Sequence, residues 1–516
     1  MLGEKYFLWN SIPNILIILG LIYYLHKRKN IGAVVVAMFV YLSLHGGYAI
    51  FAAATGDKIN TLNTLHYQAS DLGVKFVAAC FLVYCGALFL VRMQNPLIEL
   101  KENIFTNRNS LVLLVCFILS SAFYLICNPE SIFQKSQIIL KELFFAACMW
   151  IGIYNFSIVI KQSKNYFKLY QKEFSMVLIP LSFLMVLSGF YEVFSGVVWA
   201  GSYYAYGFSY RTSATLFNPN IVGLWCGIVA GIISIMFHLR WITRVVTFVA
   251  MFFLAWLLIL CSSRSGLILT LVNFFIVTVI LLKNRKVSDQ SIFEIVWPPF
   301  SFVLALTVSM IFIELYAAMD NVLYANSKRF MQIPSDLFWT FMVKVFIPAL
   351  PNLEALMFSV NGWFLKIGHF HFDIQPSIGL IESLQNTSRN FLNSNAGSKM
   401  LESVNGRISQ DYTSDNSFSA IYASAGIFSL IFWISLWGVL FVKSLRKLVS
   451  TPGILSAHTM GALVFCFASG FFLRTPQLFP VWIFISMFLG ACLCWWSTNE
   501  NTPDASIEVP AIRSPA

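Results

Sequence analysis

Residues 217–286 read FNPNIVGLWCGIVAGIISIMFHLRWITRVVTFVAMFFLAWLLILCSSRSGLILTLVNFFIVTVILLKNRK. Three apolar runs, roughly 219–237, 245–261 and 265–282, are separated by short polar breaks. Each is close to the length a helix needs to cross a bilayer's hydrocarbon core. None alternates with period two, as the strands of a membrane β-barrel would. Outward from this stretch the pattern repeats at roughly 6–26, 31–54, 71–92, 110–127, 138–160 and 175–196, then at 293–316, 416–442, 454–473 and 478–496. The chain has 516 residues, 58% hydrophobic and 11% charged, with mean hydropathy +0.73. Soluble domains carry about 25% charged residues, and a soluble fold of this size could not bury so much apolar surface. The sequence predicts an all-α polytopic membrane protein of about 13 transmembrane helices with one large periplasmic loop.

The net charge of +11 would suggest nucleic acid in a soluble protein, but here the basic residues sit in short breaks between apolar runs. Lys27, Arg28 and Lys29; Arg92, Lys101 and Arg108; and Lys161, Lys164, Lys168 and Lys172 fall in alternate loops. Arg240 and Arg244; Lys283, Arg285 and Lys286; and Lys443, Arg446 and Lys447 continue the series. The opposite loops hold mainly Lys58, Lys135, Arg211, Arg264 and Arg474. The positive-inside rule then places the N-terminus outside and the C-terminus in the cytoplasm, with no nucleic-acid partner. The first apolar run precedes its basic cluster, the reverse of a cleavable signal peptide. The ten cysteines lie in or beside apolar runs without metal-ligand spacing, so they read as packing residues.

The organisation expected is N-terminal transmembrane helices over 1–204, transmembrane helices with arginine-bearing outer loops over 205–316, a large periplasmic loop over 317–415, C-terminal transmembrane helices over 416–496, and a disordered cytoplasmic tail over 497–516. Before Asp415 the large loop carries seven basic and seven acidic residues. Its 337–367 stretch is aromatic-rich and broken by Pro348 and Pro351. Two short interfacial helices forming a lid are expected there, with the polar 373–414 part lining a groove beneath.

Three outer places hold polar groups that a bilayer protein must account for: Arg211 before the 219–237 run, Arg264 in CSSRSG, and Asp415-Asn416 with Arg407 before them. Arginine offers a planar fork of donors suited to phosphate oxygens. Each position also has a plain structural reading. Arg264 can anchor at the interface, Asn218-Pro219 can start a helix, and Asp415 and Asn416 can cap one. Glu192, near the outer end of its run, is an intramembrane carboxylate of the kind that has a partner or a role. His369 and His371 lack further ligands nearby, and no metal or cofactor is expected.

FNPNIVGLWCGIVAG, then SSRSGLILTLV, a large external loop, NGR and DNSFSAIYASAGIFSL together resemble the O-antigen ligase and polymerase superfamily over roughly residues 205–435. In the ligase branch the span after the loop opens with a histidine, a small polar residue, nine residues and a glycine. Here Asn416 to Gly426 keep that register, and Asp415 stands in the histidine position. The resemblance implies an inverting, metal-independent glycosyltransferase that uses undecaprenyl-diphosphate-linked oligosaccharide. The histidine's absence favours a Wzy-type polymerase over a ligase acting on lipid A-core, and a lipid-linked oligosaccharide transporter ranks third. By this resemblance Arg211 and Arg264 take the diphosphate, and Asp415 is the base or orients the acceptor hydroxyl. Arg407, Asn416, Asn220 and Glu192 contact substrate, and membrane lipid and a chain-length regulator protein are the further partners implied.

Overall fold

The structure is a computed structural model that describes residues 2–44, 80–92, 163–195, 219–285, 290–316, 364–367, 370–373, 417–472 and 481–497, with isolated positions 77, 119, 148, 151–152, 212 and 214–216. Its helices are α1 (Leu2–Lys27) and α2 (Ile31–Leu44), α3 (Cys80–Arg92), α4 (Ser163–Ser195), α5 (Pro219–His238), α6 (Arg244–Cys261), α7 (Arg264–Lys283), α8 (Ile292–Tyr316), α9 (Ser417–Ser450), α10 (Ile454–Phe472) and α11 (Val481–Ser497). Among the described residues five helical segments are long and apolar enough to cross a membrane. Leu16, Phe183, Phe275, Phe312 and Ile434 stand exposed on the outside of the bundle, as lipid-facing side chains do. The chain is a membrane-embedded helical protein.

Local chemistry sets the helix ends. Pro219 opens α5, where its missing N–H has no acceptor to lose. At the other end Arg240 takes a left-handed conformation, φ 59°. The Trp241 and Arg240 N–H groups then reach back to the Met236 and Phe237 carbonyls at 2.8 Å, closing a Schellman turn. Thr243 caps α6 through Val246 N–H at 3.4 Å. Ser262 and Ser263 alone separate α6 from α7. Ser262 is left-handed at φ 51°, and Ser263 caps α7 by accepting from Gly266 N–H at 3.3 Å. Ser291 and Glu294 form a reciprocal capping box at the start of α8.

Helix α5 is the axis: 78% of its membrane window is buried, against 33% for α8. It packs on α6, α7, α8, α10 and α11. One face carries Gly223, Gly227 and Gly231 at four-residue spacing, which lets neighbouring backbones approach closely without lipid being squeezed out as a driving force. A Cβ on Gly223 would lie 2.1 Å from Ser263 Oγ, and one on Gly266 only 2.6 Å from the Gly223 backbone. On Gly227 it would meet the Phe465 ring at 2.5 Å, and on Gly461 the Asn273 carboxamide at 2.4 Å. Gly223 and Gly266 thus bring α5 and α7 into backbone contact, while Gly227, Gly231 and Gly461 make room for the Phe465 and Asn273 side chains between α5, α7 and α10.

Two expectations need correction. Lys164, Lys168 and Lys172 lie on α4, and Lys443, Arg446 and Lys447 on α9, rather than in loops. Hydropathy marks where lipid ends, whereas these lysine- and leucine-rich segments keep helical propensity beyond it. In the large loop, helical expectation fails at 364–367, which is a strand. Phe364–Ile367 (β1) pairs antiparallel with Phe370–Asp373 (β2), Ile367 opposite Phe370 and Phe364 opposite Asp373. Aromatic and β-branched residues in so short a run favour a pleated ribbon over a helix. Apart from β1 and β2, residues 317–416 lie outside the described residues, so the first interfacial helix, the lid and the polar segment expected over 373–414 beyond Asp373 are not among the described elements.

Gly266→Ala is expected to lower unfolding stability in detergent by about 1–3 kcal/mol, because Gly223 backbone must move. Gly438→Ala, whose Cβ would meet nothing within 4 Å, should leave the midpoint unchanged or slightly raised. Equal midpoints for the two variants would contradict the close crossing.

Candidate functional site

The candidate site lies at the end of the bundle where α4 stops and α5 and α7 begin. Glu192, on the last turns of α4, is 5% exposed. Its carboxylate accepts from the Thr212 hydroxyl and, at 3.0 Å, from Ala214 N–H. The Thr212 N–H donates to the Leu260 carbonyl at 3.1 Å, four residues before Arg264. Thr215 donates to the Ser43 carbonyl at 2.5 Å, and Trp225 Nε1 to Ser43 Oγ at 2.8 Å. The segment leading into α5 is therefore tied to α2, α4 and α6 at once.

Arg264 is the first residue of α7 and is half-buried. The first turn of a helix carries N–H groups with no intrahelical acceptor and the positive end of the macrodipole. Arg264 adds a permanent cation to that turn. Beside it the Ser262 hydroxyl is buried, 1% exposed, and has no partner among the described residues. A left-handed, non-glycine residue with an unsatisfied buried hydroxyl is a strained position.

Of the residues singled out from sequence, the structure brings Glu192, Asn220 and Arg264 to this one end. Asn220 is the second residue of α5, three before Gly223, which touches Ser263. Arg211, Arg407, Asp415 and Asn416 lie outside the described residues. Chain connectivity alone keeps Arg211 next to the Thr212–Leu260 bond, and α9 starts at Ser417, directly after Asn416. Sequence reasoning passed over Thr212 and Ser262. Thr212 is recognisable only through its partners, and serine gives no advance sign of a left-handed backbone.

The opposite end of the bundle holds polar groups that read as structural staples. Glu173 is 1% exposed. It accepts from the Tyr24 hydroxyl, from Asn30 Nδ2 at 3.4 Å, and faces Arg28 Nε at 3.7 Å. Arg92 donates to the Leu25 carbonyl at 2.7 Å and the Asn30 carbonyl at 3.0 Å. His238 Nδ1 lies 2.8 Å from His458 Nε2, joining α5 to α10, and Gln290 donates to the His238 carbonyl at 2.8 Å. Between the two ends the packing of α2, α4, α5, α7, α10 and α11 leaves a cavity of about 360 Å³. The cavity is only half enclosed, so it is open to whatever surrounds the bundle.

Cys85, Cys148, Cys226, Cys261, Cys466 and Cys492 are buried free thiols, and Cys80 is an exposed one. Comparison of the chain with protein-family models, curated proteins and solved structures finds no match.

The carboxylate of Glu192 organises the 212–216 segment, so an isosteric amide that still accepts should preserve much of the fold. Glu192→Gln is expected to unfold within about 1 kcal/mol of the wild type, and Glu192→Leu to lose roughly 2–3 kcal/mol because the buried Thr212 hydroxyl loses its acceptor and Ala214 N–H keeps only Thr212 Oγ1. Thermal unfolding in detergent measures both. A Gln variant as unstable as the Leu variant would contradict the hydrogen-bonding role.

Proposed function

We propose that this chain is an O-antigen polymerase, an inverting, metal-independent glycosyltransferase that joins undecaprenyl-diphosphate-linked oligosaccharide repeat units on the periplasmic face of the inner membrane. One observation carries the reading furthest. The Thr212 N–H to Leu260 carbonyl bond, at 3.1 Å, ties the segment bearing Arg211 to the turn bearing Arg264. Two arginines contributed by one tethered junction suit the two phosphates of a lipid diphosphate, and the first turn of α7 adds its dipole to the same place.

In this reading the acceptor hydroxyl oxygen attacks the donor's anomeric carbon as the bond to the diphosphate breaks. Asp415 takes the hydroxyl proton or orients the hydroxyl, and the departing diphosphate carries away the bond's electron pair. Negative charge grows on its leaving oxygen in the transition state. Preorganised donors aimed at that oxygen lower the barrier because they need not reorient as the charge develops. Arg407, Asn416 and Asn220 contact the sugar chains, while Glu192 acts through the 212–216 segment that it holds. The donor arrives already activated, so no nucleotide sugar and no phosphate-cradling glycine loop is required. About 13 spans, with a periplasmic N-terminus and a cytoplasmic C-terminus, place the basic helix ends in the cytoplasm. A chain-length regulator protein would bear on when elongation stops.

Purified protein should lengthen lipid-linked repeat units in detergent with no ion gradient and no nucleotide sugar. Arg264→Ala should reduce that rate on the order of 100-fold at unchanged protein abundance. Wild-type protein that moves lipid-linked saccharide across vesicles without elongating it would overturn the proposal. Transfer to lipid A-core with no elongation would replace it with the ligase reading.

A further inference from the structure

We propose that the cavity between α2, α4, α5, α10 and α11 holds an acyl chain of an anionic phospholipid whose phosphate rests among the basic residues at the Glu173 end of the bundle. The inference stands apart from the glycosyl-transfer reading and would hold for a membrane protein of another activity.

The cavity's walls are almost entirely hydrocarbon, including Met38, Ile232, Phe465 and Phe488. Apolar walls hold water poorly, and the cavity is only half enclosed, so molecules around the bundle have access to it. The surrounding solvent is a bilayer, so the filler available at high concentration is a lipid chain. Asn273 is the polar wall residue nearest mid-helix, and its carboxamide is sandwiched between Gly231 and Gly461. Its Oδ1 is buried with no hydrogen-bond partner among the described residues, and apart from this carboxamide, His458 and Thr459 the lining is apolar.

Position and charge choose the lipid. On α5 the lining runs only from Gly227 to Ile235, toward His238, and on α10 it starts at Leu455 beside the helix start. The cavity reaches the end remote from Arg264 through Leu455 and Phe174, and on α2 its lining also runs to Leu42, beside the Ser43 that bonds Thr215, so it is the basic rim that chooses the end at which a headgroup rests. At the near end Phe174 lines the cavity two residues from Lys172, and Val35 lies six residues from Lys29. Lys172 stands about 3 Å along the axis of α4 from Phe174 at 1.5 Å of rise per residue, and Lys29 lies in the break just before α2. Lys29 and Lys172 are exposed, as is Lys27. A single chain in the cavity with its phosphate at these lysines satisfies both the hydrocarbon walls and the charged rim.

The test uses detergent-purified protein stripped of lipid, titrated separately with phosphatidylglycerol, phosphatidylcholine and undecaprenyl phosphate while the thermal unfolding midpoint is followed. Phosphatidylglycerol should raise the midpoint with a half-maximal concentration roughly tenfold or more below that of phosphatidylcholine, and undecaprenyl phosphate should not match it. Ala462→Phe, which fills the cavity from α10, should remove the response, and Ala491→Phe on α11 serves the same purpose if the first variant does not fold. Lys29→Gln combined with Lys172→Gln should erase the preference for the anionic lipid while keeping a response to both phospholipids. Equal responses to the three lipids, a stronger response to undecaprenyl phosphate, or a full response in a folded cavity-filled variant would overturn the proposal.

Discussion

The contact between Gly223 and Gly266 is the constraint on which the bundle depends. A Cβ on Gly266 would stand 2.6 Å from the Gly223 backbone, and one on Gly223 would stand 2.1 Å from Ser263 Oγ. Two transmembrane helices in lipid gain nothing from hiding apolar surface from each other, because the alternative contact is equally apolar. They gain from close approach, which multiplies weak dispersion contacts. By meeting at their glycine-bearing first turns, α5 and α7 bring together Asn220, Ser263 and Arg264. The further crossings at Gly227 and Gly461 extend the seam to α10, and the central burial of α5 follows from it.

The two ends of the bundle use buried polar groups differently. At one end Glu173, Tyr24, Asn30, Arg28 and Arg92 satisfy one another and the neighbouring carbonyls, which is what a staple between α1, α3 and α4 requires. At the other end Glu192 is spent on organising a loop, Ser262 keeps a hydroxyl without a partner among the described residues, and Arg264 stands at a helix start. Both ends carry a left-handed non-glycine residue, Arg240 at the first and Ser262 at the second, and each keeps a buried polar atom without a partner among the described residues, Gln290 Oε1 and Ser262 Oγ. What sets the second end apart is the permanent cation of Arg264 at the start of α7.

Much of this was legible beforehand because the bilayer imposes so simple a rule on length and polarity. Helices α5 to α8 start and stop within a few residues of where the apolar runs do, and the turn at Ser262–Ser263 is visible as the one polar break too short for anything else. Glu192 was conspicuous as a carboxylate in hydrocarbon. What hydropathy does not carry is which polar group meets which. Thr212 bonds to Leu260 across 48 residues of sequence, and Glu173, His238 and His458 lie among other polar residues near helix ends, with no period to betray their partners. The β1–β2 hairpin was missed because β1 sits at the end of a long aromatic-rich run whose amphipathic pattern dominates its four residues, and β2 lies just beyond that run. The extensions of α4 and α9 past the lipid were missed because apolarity ends before helicity does.

Arg211 and Arg264 define the central claim: the junction stitched by Thr212 and Leu260 receives a lipid-linked diphosphate. An electron cryomicroscopy map of the protein with an undecaprenyl-diphosphate-linked saccharide tests this most directly. The account predicts diphosphate density within hydrogen-bonding distance of the Arg264 guanidinium and beside the segment entering Thr212, with the saccharide on the side of the large loop. Diphosphate density at the Glu173 end, or a map in which Arg264 faces lipid and touches no phosphate oxygen, would contradict it.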